Sequence, residues 1–158
     1  MTGNSSITKN PAMNRSMQLR RGVTEDQDWL FNLFRLTMQN YIDKAWGWDE
    51  LLQREGFITS LPARNFQILL CEEQRVGSFH LTEKEDHILL DMILVEPDRQ
   101  RQGFGRHMMA HIKQKSSARG RPLRLSVLKT NPAVQFHLAS GFQQTEEDAH
   151  SYRMTWSA

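Results

Sequence analysis

Val95-Glu-Pro-Asp-Arg-Gln-Arg-Gln-Gly-Phe-Gly-Arg-His-Met-Met109 joins an apolar segment to a helical one through a loop rich in glycine and arginine. Residues 87–95 read His-Ile-Leu-Leu-Asp-Met-Ile-Leu-Val, an almost unbroken apolar run that fits a strand buried on both faces. Pro97 ends that strand. Beyond it, Phe104, Met108 and Ile112 recur at helical spacing with Met109 beside them, so a helix starts at Gly103 and Gly105.

A loop of this kind is built for an anion. Glycine lets backbone N–H groups approach a ligand with no Cβ in the way, and a helix N-terminus leaves its first amides unpaired and partly positive. Together they favour phosphate. Two familiar phosphate loops do not fit these residues: the dinucleotide fingerprint requires a third glycine where Met108 stands, and the ATP loop requires a Gly-Lys-Ser/Thr triplet that is absent.

Gln100-Arg101-Gln102-Gly103-Phe104-Gly105 does match Gln/Arg-x-x-Gly-x-Gly/Ala, and so resembles the pyrophosphate loop of the GNAT superfamily of N-acetyltransferases. A second match follows. Leu123-Arg-Leu-Ser-Val-Leu128 alternates as a strand, and Lys129-Thr-Asn-Pro-Ala-Val-Gln-Phe-His-Leu-Ala-Ser-Gly-Phe142 resembles the family's next helix and its exit. Asn131 suits the N-cap, Pro132 the first helical position and Gly141 the exit.

The remaining elements fall into place around these two. Residues 16–22 read as a first strand, and Thr24-Glu-Asp-Gln27 offers a capping box for a helix with an apolar face from Leu30 to Ile42. Trp46-Gly-Trp-Asp-Glu begins a second, shorter helix. Residues 66–71 and 75–82 read as strands joined at 72–74, and 142–145 and 151–156 as a closing pair. Resemblance to the family covers residues 16–156 or so. It implies an α/β GNAT fold: a mixed, mostly antiparallel central sheet of about seven strands, splayed between the fourth and fifth and flanked by about four helices. Residues 16–158 then form a single acetyltransferase domain, and residues 1–15, rich in Asn, Ser and Thr, a flexible N-terminal tail.

Composition narrows the class further. With 158 residues, 39% of them apolar, one domain with a real core is expected. Formal charge is +2, from 20 basic and 18 acidic residues that are mixed along the chain, whereas nucleic-acid binders carry a basic stripe. No apolar run approaches the ~20 residues that cross a bilayer, so no membrane partner is expected. The single cysteine, Cys71, has no disulfide partner and no metal-ligand spacing. A reducing cytoplasm and no metal are the expectations.

What the resemblance implies for the site is more specific. Acetyl-coenzyme A is the expected cosubstrate. The loop residues Arg101, Gln102, Gly103, Phe104, Gly105 and Arg106 would hold its pyrophosphate, and Ile93, Leu94, Val95 and Asn131 its pantetheine arm. Backbone amides of 93–95 would also stabilise the oxyanion of acetyl transfer. Arg99 is either a phosphate contact or solvated.

An acceptor ammonium has a pKa of ~10.4, so a base or an ordered water must take its proton. Some family members carry a glutamate on the fifth strand; the matching residue here is Ser126. Glu50 is the replacement, because a closely similar Trp-Gly-Trp-Asp-Glu segment lies beside the acceptor pocket in a bacterial subgroup of the family. The competing reading of Glu50 is a solvated carboxylate in a first helical turn. Trp46, Trp48 and Asp49 are substrate-binding candidates from the same segment. His137 stands where the family usually has a tyrosine acid; its rival role is packing against the cofactor, and Tyr152 is the alternative acid.

The leading expectation is transfer of an acetyl group to a primary amine on a small molecule or a peptide. A catalytically silent acyl-coenzyme A sensor is the alternative. A homodimer is expected only by analogy with the fold.

Overall fold

The computed structural model describes residues 16–158, so the expected tail over 1–15 lies outside the described residues. Seven strands form one sheet: β1 (Met17–Arg21), β2 (Phe66–Cys71), β3 (Gln74–Glu83), β4 (Ile88–Val95), β5 (Leu123–Leu128), β6 (Gln143–Glu147) and β7 (Ser151–Trp156). Four α-helices accompany it: α1 (Gln27–Trp46), α2 (Glu50–Ser60), α3 (Phe104–Arg119) and α4 (Ala133–Ala139). The strand order is β1-β2-β3-β4-β5-β7-β6. Every neighbouring pair is antiparallel except β4 and β5.

That parallel pair decides where a ligand can enter. Only Ile88 with Leu123 and Leu89 with Arg124 are in register, after which the two strands part. The expected splay between the fourth and fifth strands is therefore present. It also corrects the reading of β4 as buried on both faces. Ile88, Leu90 and Leu94 are buried, but Asp91, Met92, Ile93 and Val95 are only half-buried, because β4 loses its neighbour on one side.

Each face of the sheet carries its own core. Phe104, Met108, Met109 and Ile112 of α3 pack with Val76, Phe79, Leu90 and Leu123. Leu30, Phe31, Leu33 and Phe34 of α1 pack with Phe57, Phe66 and Leu94 on the other face. Burying each such side chain contributes about 1.5–3 kcal/mol. Gly77 allows α3 to lie close on β3: a Cβ there would stand 2.7 Å from the Leu94 carbonyl oxygen and 2.9 Å from Met108 Cε.

One local expectation is corrected. Thr24 makes no capping bond; it opens a single short helical turn, Thr24–Asp26. The buried Asp26 carboxylate instead accepts the Val23 amide and is held by Arg20 at 2.8 Å and Arg75 at 3.0 Å. These contacts hold its pKa down at about 2, with the Arg20 hydrogen bond the largest cause. The Trp46 segment leads, as expected, into a second and shorter helix by way of a corner. Trp46 ends α1, Gly47 turns the chain at φ 86°, and Asp49 caps α2 by accepting the Leu52 amide.

Candidate active site

Val95 ends β4, residues 97–99 make one helical turn, and Gly103, at φ 91°, delivers the chain into α3. Such a φ is unstrained only for glycine. The first bond of α3 runs from the His107 amide to the Gly103 carbonyl at 2.9 Å, so the amides of 104–106 precede it as the free start of the helix. Gly103, Phe104, Gly105 and Arg106 line a cavity of about 640 Å³. Its second wall is Ile93, Leu94 and Val95 of β4, and a third is Asn131 with Pro132, Ala133 and Phe136.

These are the residues expected to receive a cofactor, brought to one place. Arg101 also lines the cavity; it and Arg106 are exposed, with no side-chain partner among the described residues. Arg99 lines it too, but its guanidinium donates to Gln74 at 2.8 Å. Gln102 is not in the lining and donates to the Asp98 carbonyl. Asn131 Oδ1 accepts the Ala133 amide at 2.9 Å, the capping role expected of it, one residue ahead of the flanking Pro132. Unpaired amides at a helix start, glycines and two free arginines form a donor set suited to pyrophosphate.

A second cavity of about 260 Å³ opens deeper between β4 and β5. Met38, Ile93, Asn131 and Ala133 line both, so the two adjoin. The polar groups of the deeper one are Asp91, Ser126, Asn131, His137 and Ser151, set among apolar walls that include Phe34, Met38 and Leu125.

Here the expected catalytic residues divide. His137 lines the deeper cavity, buried between the rings of Phe136 and Phe142 at 5.5 and 5.7 Å. Burial pushes its pKa down to about 4, so at neutral pH the ring is uncharged and no imidazolium acid is present. Trp46 lines the same cavity and meets the His150 ring at 5.4 Å. Trp48, Asp49 and Glu50 do not line either cavity. Trp48 packs on Phe34 from outside, Asp49 is spent on its cap, and the Glu50 carboxylate accepts from Trp48 Nε1 at 2.9 Å and Arg35 at 3.2 Å. Tyr152 is likewise outside both, with Lys129 over its ring at 5.2 Å.

The acetyltransferase (GNAT) domain family matches residues 39–155. The chain belongs to the GNAT acetyltransferase family. Solved structures agree on the fold. PaiA N-acetyltransferase from Thermoplasma acidophilum, solved in complex with coenzyme A, superposes with a TM-score of 0.75 at 15% identity, covering 90% of this chain and 99% of that one. The ribosomal-protein-S18-alanine N-acetyltransferase of Escherichia coli gives 0.68 at 20% identity over 89% and 92%. An acetyltransferase from Thermus thermophilus gives 0.70 at 18% over 89% and 96%. No protein of curated function matches the sequence significantly.

Several residues of this GNAT acetyltransferase site had no local signal in the sequence. Thr37, Met38 and Tyr41 of α1 line the larger cavity, at a spacing that reads as core until the helix is seen to cross the splay. Asp91 sat in an apolar run as an unexplained interruption. Among the described residues no group of His, Cys, Asp or Glu could hold a metal ion, and no helix is long and apolar enough to cross a membrane.

Proposed function

We propose that this GNAT acetyltransferase uses acetyl-coenzyme A as donor and transfers its acetyl group to a primary amine. The support is a pair of adjoining cavities: the larger one begins at the free amides of α3 and follows the unpaired edge of β4, and the deeper one lies next to it with four wall residues in common. The loop amides with Arg101 and Arg106 would bind the pyrophosphate, and Asn131 and the backbone of 93–95 the pantetheine. The amides of Ile93 and Val95, which alternate with the Leu94 amide that faces β3, would also stabilise the carbonyl oxygen as it gains charge. The His137 ring, uncharged at neutral pH, shapes the wall of the acceptor end.

Coenzyme A should raise the melting temperature well above the effect of NAD or ATP. Thiol release from acetyl-coenzyme A should then depend on an added primary amine. A silent acyl-coenzyme A sensor is the second reading, favoured by the absence of Glu50 and Tyr152 from both cavities. A melting shift with coenzyme A but no thiol release for any amine selects it.

A further inference from the structure

Asp91 is the extra residue of a β-bulge. β3 and β4 pair His80 with Met92 and Leu81 with Leu90, so nothing stands opposite Asp91. A bulge of this kind re-aims a side chain at the point where the ladder is broken. Asp91 is one of the residues that line the deeper cavity, and its side chain is 19% exposed.

Two groups from β3 grip one of its oxygens. His80 Nδ1 lies 2.8 Å from Asp91 Oδ2, and Thr82 Oγ1 donates to the same atom at 2.7 Å. Both bonds fall on Oδ2, leaving Oδ1 with no protein partner among the described residues. Toward a carboxylate oxygen Nδ1 of His80 is the donor, which leaves Nε2 as the ring's other nitrogen. That Nε2 is buried, with no hydrogen-bond partner, in a ring 3% exposed and edge-on to Phe66 at 4.9 Å. A buried unsatisfied nitrogen costs stability. Nδ1 is the ring nitrogen that has a partner, and that partner is Asp91.

The other side chains lining the deeper cavity are apolar, hydroxyl, amide or indole groups, together with the uncharged His137. We propose that Asp91 Oδ1 receives the acceptor's ammonium and takes its proton, that His80 and Thr82 are positioning residues for it, and that the acceptor amine ends an unbranched apolar stem. The inference rests on the acetyltransferase reading above. In the step, one ammonium proton passes to Asp91 Oδ1 and the freed lone pair attacks the acetyl carbon. The C–N bond forms and the C–S bond breaks. The second nitrogen proton ends on the leaving thiolate, giving amide and free coenzyme A, and Asp91 then returns its proton to solvent. An α-amino acid would bring a carboxylate against both Asp91 and the apolar walls, and is disfavoured.

The test uses the full chain, acetyl-coenzyme A, and n-butylamine, 1,5-diaminopentane and glycine as acceptors. Asp91→Asn should keep the melting temperature and the coenzyme A shift while losing ~10²–10⁴ in kcat/KM for n-butylamine. His80→Asn and Thr82→Ser, which keep a donor, should retain most of kcat, whereas His80→Phe and Thr82→Val should lose at least about tenfold. Glycine should be the poorest acceptor. Wild-type rates in Asp91→Asn, or glycine used as readily as n-butylamine, overturn the proposal. So does a chain that binds coenzyme A and acetylates none of the three amines, which leaves the cofactor site standing. A chain with no coenzyme A shift overturns the acetyltransferase reading itself, and this inference with it. If Asp91→Asn does not fold, equal rates in Thr82→Val and Thr82→Ser are decisive against it.

Discussion

A Cβ on Gly105 would stand 3.5 Å from the edge of the Phe136 ring and 3.8 Å from Val95 Cγ2, at ordinary van der Waals distance from two residues of the larger cavity's wall. The backbone at Gly105 needs no positive φ, whereas Gly103 does. Gly105→Ala should therefore fold normally and keep most of the coenzyme A melting shift. Gly105→Glu puts bulk and negative charge into the same space, and should fold yet lose that shift. Gly103→Ala should lower stability by about 1 kcal/mol through its backbone alone. Thermal melts with and without coenzyme A separate the three.

His137 makes folding stability depend on pH. Its native pKa of about 4 lies below the ~6.5 of an unfolded histidine, so between those values the unfolded chain binds a proton that the native one refuses. Stability from the neutral ring is full above pH ~6.5 and falls as pH drops toward 4, by about 3 kcal/mol in total. Denaturant titrations across that range should show the loss in the wild type and a flatter profile in His137→Phe. Equal slopes would mean that the ring is solvated.

Asp26 titrates lower. With a native pKa of about 2, its contribution is present above the ordinary carboxylate value and is lost as pH falls from about 4 to 2. Arg20 and Arg75 are each more than a third exposed, which screens the pair and reduces the gain to about 1–2 kcal/mol. Asp26→Asn should remove that acid limb and lower the melting temperature at pH 7.

Glu50→Gln should change kcat/KM less than about threefold, because the carboxylate serves an exposed pair with Arg35 that is worth at most about 1 kcal/mol. A loss of 10² or more would return the base to Glu50. Running Glu50→Gln beside Asp91→Asn in one assay sets the two carboxylates against each other.

The loop and the strand–helix order were readable because glycine, proline and apolar spacing act over a few neighbouring residues. Gly103 turns the chain into α3 and Asn131 caps the start of α4, as their local chemistry asks. Catalytic geometry is less local. His80, Thr82 and Asp91 meet only because a bulge shifts the register of two strands, and neither the run 87–95 nor the strand before it carries a mark of that shift. Glu50 looked placed by its company with Trp46 and Trp48, yet Gly47 turns the chain so that Trp46 reaches the cavity while Glu50 does not. The capping box is displaced by one residue: Val23 and not Thr24 is the N-cap, and its amide donates to Asp26 three residues on.

The two-rung contact at Ile88–Leu123 and Leu89–Arg124 makes the sheet resemble a book bound along a very short spine. One leaf is β1 to β4, the other β5, β7 and β6. Past the spine, the facing margins of β4 and β5 each carry a row of backbone donors and acceptors with no strand to answer them. A ligand chain bearing its own amide groups can lie between the pages as a substitute strand, and in doing so stitches the leaves into a single continuous ladder. A ligand seated there would tie the leaves together, so its binding and the rigidity of the whole sheet would rise as one.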